Sequence, residues 1–175
     1  MSARRGRKIF LVGRDQSEPA ASVSDAAAMR SEYLAAILSS SDGKERTHFT
    51  LDVPTDALRE IARWLEYHTS IPCAEMPIPL PHFPTFKEIA GEWDATFAQN
   101  LTLPQLCAVL LGANYLCISD LVDLCCAKIA HSMLGKTPDE IRLLFGIAPV
   151  PRFTAAEMQH MQQHFPYLSA PGTLD

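Results

Sequence analysis

Apolar residues run together over one short stretch of this chain, alternate over another, and otherwise fall at helical spacing. Ile9, Phe10, Leu11 and Val12 form the run, which Gly13 ends, and they predict a strand over 8–12. Phe49, Leu51 and Val53 share one face of a second predicted strand, 48–53. The small, polar stretch 17–24 fits a loop or a weak edge strand. From Asp25, the residues Ala26, Ala28, Met29, Tyr33, Leu34, Ile37 and Leu38 predict one helix, followed by a loop signal at 39–43. Pro54-Thr55-Asp56 opens another helix, with Leu58, Ile61, Ala62 and Leu65 as its inward stripe. A proline-rich connection, 72–84, leads to a helix over 85–98 around Ile89, Trp93 and Phe97, with Gly91 a candidate break.

The C-terminal half marks its helix starts strongly. Thr102 precedes Gln105, Thr137 precedes Glu140 and Thr154 precedes Glu157, each at the spacing of a capping box. In such a box the threonine hydroxyl takes an orphan N–H while the Glu or Gln reaches back to the threonine's own N–H. Leu101 with Leu106, and Phe153 with Met158, add hydrophobic staples, and Pro138 suits a first helical position. Helices follow over 103–116, 138–145 and 155–164, with another over 120–134 between a Ser119 cap and a Gly135 stop. Few strands and many helices make an α+β domain followed by a helical extension.

Several of these helices carry more apolar residues than one buried face needs. Helix 103–116 is apolar all round, which predicts that other elements enclose it, and it ends in Asn114 and Tyr115. Helix 120–134 has Leu121, Leu124 and Cys125 on one side and Val122, Cys126, Ile129 and Met133 on another. Helix 138–145 offers Ile141, Leu144 and Phe145, with Ile147 beyond its Gly146 stop. On pattern alone, this surplus either closes the core or waits for a partner.

Composition narrows the function classes. With 47% hydrophobic and 20% charged residues, the chain is globular, not disordered. Arg4, Arg5, Arg7, Lys8 and Arg14 leave ten basic residues against twenty acids in the remainder, a body that repels phosphate backbones and argues against nucleic acid. The basic head reads as a solvated tail running into a strand, with a nuclear address as the alternative. The uncharged stretch 101–119 is broken by Pro104, Gln105, Gly112 and Asn114, so no membrane span is expected. No secretory signal is evident, and five cysteines (Cys73, Cys107, Cys117, Cys125 and Cys126) fit reduced, buried thiols in a cytoplasmic and nuclear protein. His160 and His164 stand four apart, yet no third ligand and no Glu base accompany them, so no metal is expected. No nucleophile elbow or phosphate loop is present; neither an enzyme nor a cofactor is expected.

Four segments are similar to a known family: Glu92-Trp93-Asp94, then Leu110-Leu-Gly-Ala-Asn-Tyr-Leu-Cys-Ile118, Asp120-Leu-Val-Asp-Leu-Cys-Cys126 and Gly135-Lys-Thr-Pro-Asp-Glu-Ile-Arg-Leu-Leu-Phe-Gly-Ile147. They resemble the Skp (S-phase kinase-associated protein) adaptors, which join F-box proteins to a cullin in SCF ubiquitin ligases. The resemblance is strong over 92–157 and weak over 8–68. It implies a BTB/POZ-like α/β domain over 7–130 and Skp-type C-terminal helices over 131–165; by composition, residues 1–6 read as a disordered basic tail and 166–175 as a flexible one.

The resemblance also implies roles for particular residues. Asn114 and Tyr115 are expected to face a cullin. Ile129, Met133, Ile141, Leu144, Phe145 and Ile147 are expected to cradle F-box helices. The implied function is that of a non-catalytic SCF adaptor bridging an F-box substrate receptor to the cullin scaffold. The alternative is a cullin-independent structural partner of F-box proteins in another assembly, such as a kinetochore. Self-pairing of the free chain through its apolar helices stays open. The chain also departs from the family. Cys117 replaces an acid after Asn-Tyr-Leu, 72–84 replaces an acidic loop, and 14–24 replaces the usual first hairpin with its Ser-Asp-Gly turn.

Overall fold

The computed structural model describes residues 7–40, 47–78, 80, 85–148 and 153–165. The tail at 1–6, most of the loop signal at 39–43, part of the 72–84 connection and the tail at 166–175 lie outside them. The chain divides between Leu134 and Gly135 into two units.

In the first unit the apolar run becomes β1 (Lys8–Val12). The weak candidate at 17–24 becomes β2 (Pro19–Ser24), which pairs antiparallel with β1. A first hairpin is therefore formed although its turn differs from the family's. β3 (His48–Thr50) pairs parallel with β1 on its other side, setting Phe49 against Leu11. The predicted strand over 48–53 ends as regular strand at Thr50, opposite the end of β1 at Val12, although the Leu51 N–H still bonds the Val12 carbonyl at 2.9 Å and the Arg14 N–H that of Val53 at 3.1 Å. The predicted face survives, with Phe49, Leu51 and Val53 all buried.

The one helix expected from Asp25 is two: α1 (Asp25–Ala28) and α2 (Glu32–Ser39). Two serines account for this. Ser24 accepts from the N–H of Ala27 at 3.2 Å, and Ser31 accepts from that of Leu34 at 3.1 Å, so each starts its own helix. α3 (Thr55–Tyr67) then buries Leu58, Ile61, Trp64 and Leu65. Its N-terminus is capped from far along the chain. Asp15, in the β1–β2 turn, takes the Thr55 N–H on Oδ1 at 2.9 Å and the Thr55 hydroxyl at 2.5 Å. Gly13 permits this approach, since a Cβ there would lie 2.9 Å from the Thr55 Cα.

Gly91 (φ +81°) divides α4 (Lys87–Ala90) from α5 (Glu92–Gln99). α6 (Leu103–Tyr115) packs on α3, closely enough that a Cβ on Gly112 would come within 2.7 Å of Ile61 and Val53 side-chain carbons. α7 (Ser119–Met133) follows. Ser119 is its first residue, not its cap; Ile118 holds the cap position without any side-chain bond.

The second unit contains α8 (Pro138–Leu144) and α9 (Ala155–His164), neither of which buries a residue. All three expected capping boxes form. Three strands and nine helices among the described residues make the mixed α+β fold read from the pattern.

The hydrogen bonds from Thr55 hold the Asp15 carboxyl below its ordinary value. A depressed folded pKa contributes stability that is complete above about pH 4 and is lost as pH falls through the folded pKa. The stability gap between the wild type and Asp15→Asn therefore closes on acidification, as pH-dependent urea denaturation will show. Gly13→Ala lowers stability by about 1–3 kcal/mol, read as the denaturation midpoint at constant slope.

Candidate partner-binding surfaces

The last turn of α6 carries Asn114 and Tyr115, both exposed. The helix then stops in a Schellman motif: the Cys117 N–H bonds the Asn114 carbonyl at 3.1 Å and the Ile118 N–H bonds that of Ala113 at 2.9 Å. The motif needs a left-handed residue, ordinarily glycine. Here it is Cys117, at φ +53°, the one described non-glycine residue with positive φ. The turn is held against the start of α2. The fully buried Ser31 donates its hydroxyl to the Leu116 carbonyl at 2.5 Å, and the Glu32 N–H reaches the Cys117 carbonyl at 3.4 Å. The Tyr33 hydroxyl lies 3.3 Å from that of Tyr115.

Helix α6 is not enclosed as its all-round apolar sequence implied. Leu106, Val109 and Ala113 are buried, but Leu111 is 70% exposed, Pro104 is exposed and Ala108 is half-buried. These three and Tyr115 recur at helical spacing, so they form one outward stripe.

Helix α7 buries Leu121, Leu124 and Cys125 and leaves Val122, Ile129 and Met133 half-buried. Beside Ile129, the Lys128 ammonium sits 5.1 Å over the Phe86 ring, and burial pulls its pKa down.

In the second unit, α8 is short but fixed at both ends. Thr137 donates its N–H to Glu140 at 2.8 Å and accepts the Glu140 N–H on its hydroxyl at 3.4 Å. Beyond the C-terminus, Gly146 (φ +64°) permits a second Schellman motif, with the Ile147 N–H on the Arg142 carbonyl at 2.8 Å. Ile141 and Leu144 are half-buried, while Phe145 is exposed and Ile147 is 57% exposed. Leu143, not singled out from sequence, is 80% exposed.

The other chemistry is sparse. His160 and His164 lie with ring centroids 4.3 Å apart and tilted by 42°, and no group of three or more metal-ligand side chains gathers among the described residues. All five thiols are free. The expectation of uniformly buried cysteines fails at Cys117 and Cys126, which are exposed because one lies in the αL turn and the other on the outer side of α7. Burial pushes the thiols of Cys73 and Cys125 up to about 12, which leaves them protonated and inert at neutral pH. No helix among the described residues is long and apolar enough to cross a membrane.

An α+β domain bearing exposed apolar and aromatic residues on well-capped helices has the surface of a protein-binding module. The Skp1 family, dimerisation domain, matches residues 119–165, a stretch that includes the Gly135–Ile147 motif. An S-phase kinase-associated protein 1 homolog from Tetrahymena thermophila is 38% identical over 96 residues, covering 55% of this chain and 57% of the relative. SKP1-like protein 13 from Arabidopsis thaliana is 48% identical over 62 residues, or 35% of this chain and 40% of the relative. The protein named E3 ubiquitin ligase complex SCF subunit sconC from Aspergillus flavus is 43% identical over 90 residues, 51% of this chain and 54% of the relative. The chain thus spans about half the length of the curated relatives it matches.

Because a non-glycine residue in the αL region costs about 1 kcal/mol or more, Cys117→Gly raises stability by about that amount, and thermal denaturation will register an upward shift of a few degrees.

Proposed function

We propose that this protein is a non-catalytic adaptor of an SCF-type ubiquitin ligase, with F-box helices on the apolar residues of α7 and α8 and a cullin scaffold on the end of α6. The observation that carries this reading is α8. It is a seven-residue helix with no buried residue, fixed by a capping box at one end and a glycine turn at the other, and followed by exposed Phe145 and Ile147. A helix so well defined and so little covered is built to meet another polypeptide. The names of the relatives, Skp1 homolog and SCF subunit, support the same partners. The work done is proximity, since holding a substrate receptor beside the transfer machinery makes transfer effectively intramolecular.

A second reading keeps the F-box and drops the cullin. It is favoured by the exposed Cys117, which supplies no charge beside Tyr115 where similar proteins carry an acid. Titration of the full chain with a cullin N-terminal domain separates the two readings.

Phe145→Ala weakens binding of an F-box peptide by more than about 30-fold, the size of an interface hot spot, with an unchanged circular-dichroism spectrum. Tyr115→Ala leaves that affinity alone and lowers affinity for the cullin domain instead. An unchanged F-box affinity in Phe145→Ala refutes the assignment of α8.

A further inference from the structure

The end of α6 does not stand alone. Two residues at the start of α2 grip the α6–α7 turn, and the next, Tyr33, reaches the Tyr115 side chain. The Ser31 hydroxyl and the Glu32 N–H both bond carbonyls of that turn. The Tyr33 ring then lies 5.2 Å from the Tyr115 ring at 45°, with the hydroxyls 3.3 Å apart. Tyr33 is half-buried, so its ring has a fixed seat, whereas Tyr115 projects to solvent. An exposed tyrosine on a helix end otherwise samples several rotamers, and a partner that needs one of them must select it at an entropic cost.

We infer that Tyr33 is a positioning residue of the cullin-facing surface, holding the Tyr115 ring and hydroxyl in one orientation through the hydroxyl pair and extending that surface from α6 onto α2. The inference rests on the reading of Asn114 and Tyr115 as scaffold-facing. The Tyr33 phenol is raised above its ordinary pKa by the Tyr115 hydrogen bond and then by burial, so it stays protonated through the physiological range, and either hydroxyl of the pair can donate. Among the described residues, the Tyr33 hydroxyl bonds that of Tyr115.

The test is a double-mutant cycle on the full chain, read by calorimetric titration with a cullin N-terminal domain, with F-box peptide affinity and the thermal midpoint measured alongside. Tyr33→Phe keeps the ring and removes the hydroxyl. It lowers cullin affinity by about 2- to 10-fold, leaves F-box affinity and the midpoint in place, and has no further effect in a Tyr115→Phe background. A merely structural role would move the midpoint and both affinities together. If Tyr115→Ala weakens cullin binding while Tyr33→Phe does not, or if the two Phe variants simply add, the positioning role is overturned. If Tyr115→Ala itself leaves cullin binding unchanged, the scaffold-facing reading fails and takes the inference with it.

Discussion

One carboxylate holds the first unit together. Asp94, only 6% exposed, lies beneath the surface of α5, where an unpaired charge would cost several kcal/mol. It is tolerated because the Trp64 indole N–H donates to its Oδ1 at 2.9 Å and His68 Nε2 lies 3.0 Å from the same oxygen. Trp64 belongs to α3 and His68 caps its C-terminus, so α3 and α5 are held in register. The connection continues outward. His68 Nδ1 donates to the Ile71 carbonyl at 2.9 Å, while Arg30 donates to the His68 carbonyl at 3.0 Å and to Asp120 at 2.8 Å. The segment before α2, the end of α3, α5 and the start of α7 thereby meet around one buried acid. The α6–α7 turn and the start of α2 are thus braced from behind.

Helices that carry uncovered apolar residues need definition from some other source. In this chain it comes from their ends. A short helix is marginal in water because its nucleus is costly and its terminal backbone groups are orphaned. α8 answers both problems locally, with a reciprocal threonine–glutamate box at one end and a glycine Schellman turn at the other. Its side chains are then not needed for burial. α6 uses the same logic at the end that matters, although Cys117 occupies the left-handed position at a conformational cost. That cost is offset where the Ser31 hydroxyl and the Glu32 N–H bind the adjoining carbonyls. Strain of this kind persists only where the surroundings over-determine the backbone.

Much of this was legible in the sequence because it is local. The three capping boxes, the stripe of α3, the Gly91 break and the two C-terminal helices are each set by residues within four or five positions of one another. What escaped was set at long range or by competition. Ser31 looked like part of a continuous helical period; its hydroxyl, drawn to the Leu34 N–H and the Leu116 carbonyl, splits that helix in two. The strand over 48–53 alternates perfectly yet ends at Thr50, because pairing depends on where β1 stops. α6 reads as a core helix from its composition, and only the tertiary arrangement shows that Leu111 and Pro104 are left outside. The pairing of Tyr33 with Tyr115 spans 82 positions and carries no local signal. Nor does any local signal mark Leu143, which is 80% exposed.

The two candidate surfaces differ in kind, and that difference has consequences. The end of α6 presents an amide, a phenol and a second phenol behind it, groups whose worth depends on direction and distance. A partner there is recognised by geometry, and small displacements of one ring alter the fit. The apolar residues around α8 are aliphatic and aromatic carbon, whose attraction scales with area removed from water and is indifferent to angle. Such a surface binds through size and tolerates varied sequences, which suits the adaptor role proposed above. It also draws exposed Leu143, Phe145 and Ile147 toward any apolar face at hand, a second copy of this chain included. Under the proposed function, the receptor-bound state is the one in which that surface is satisfied.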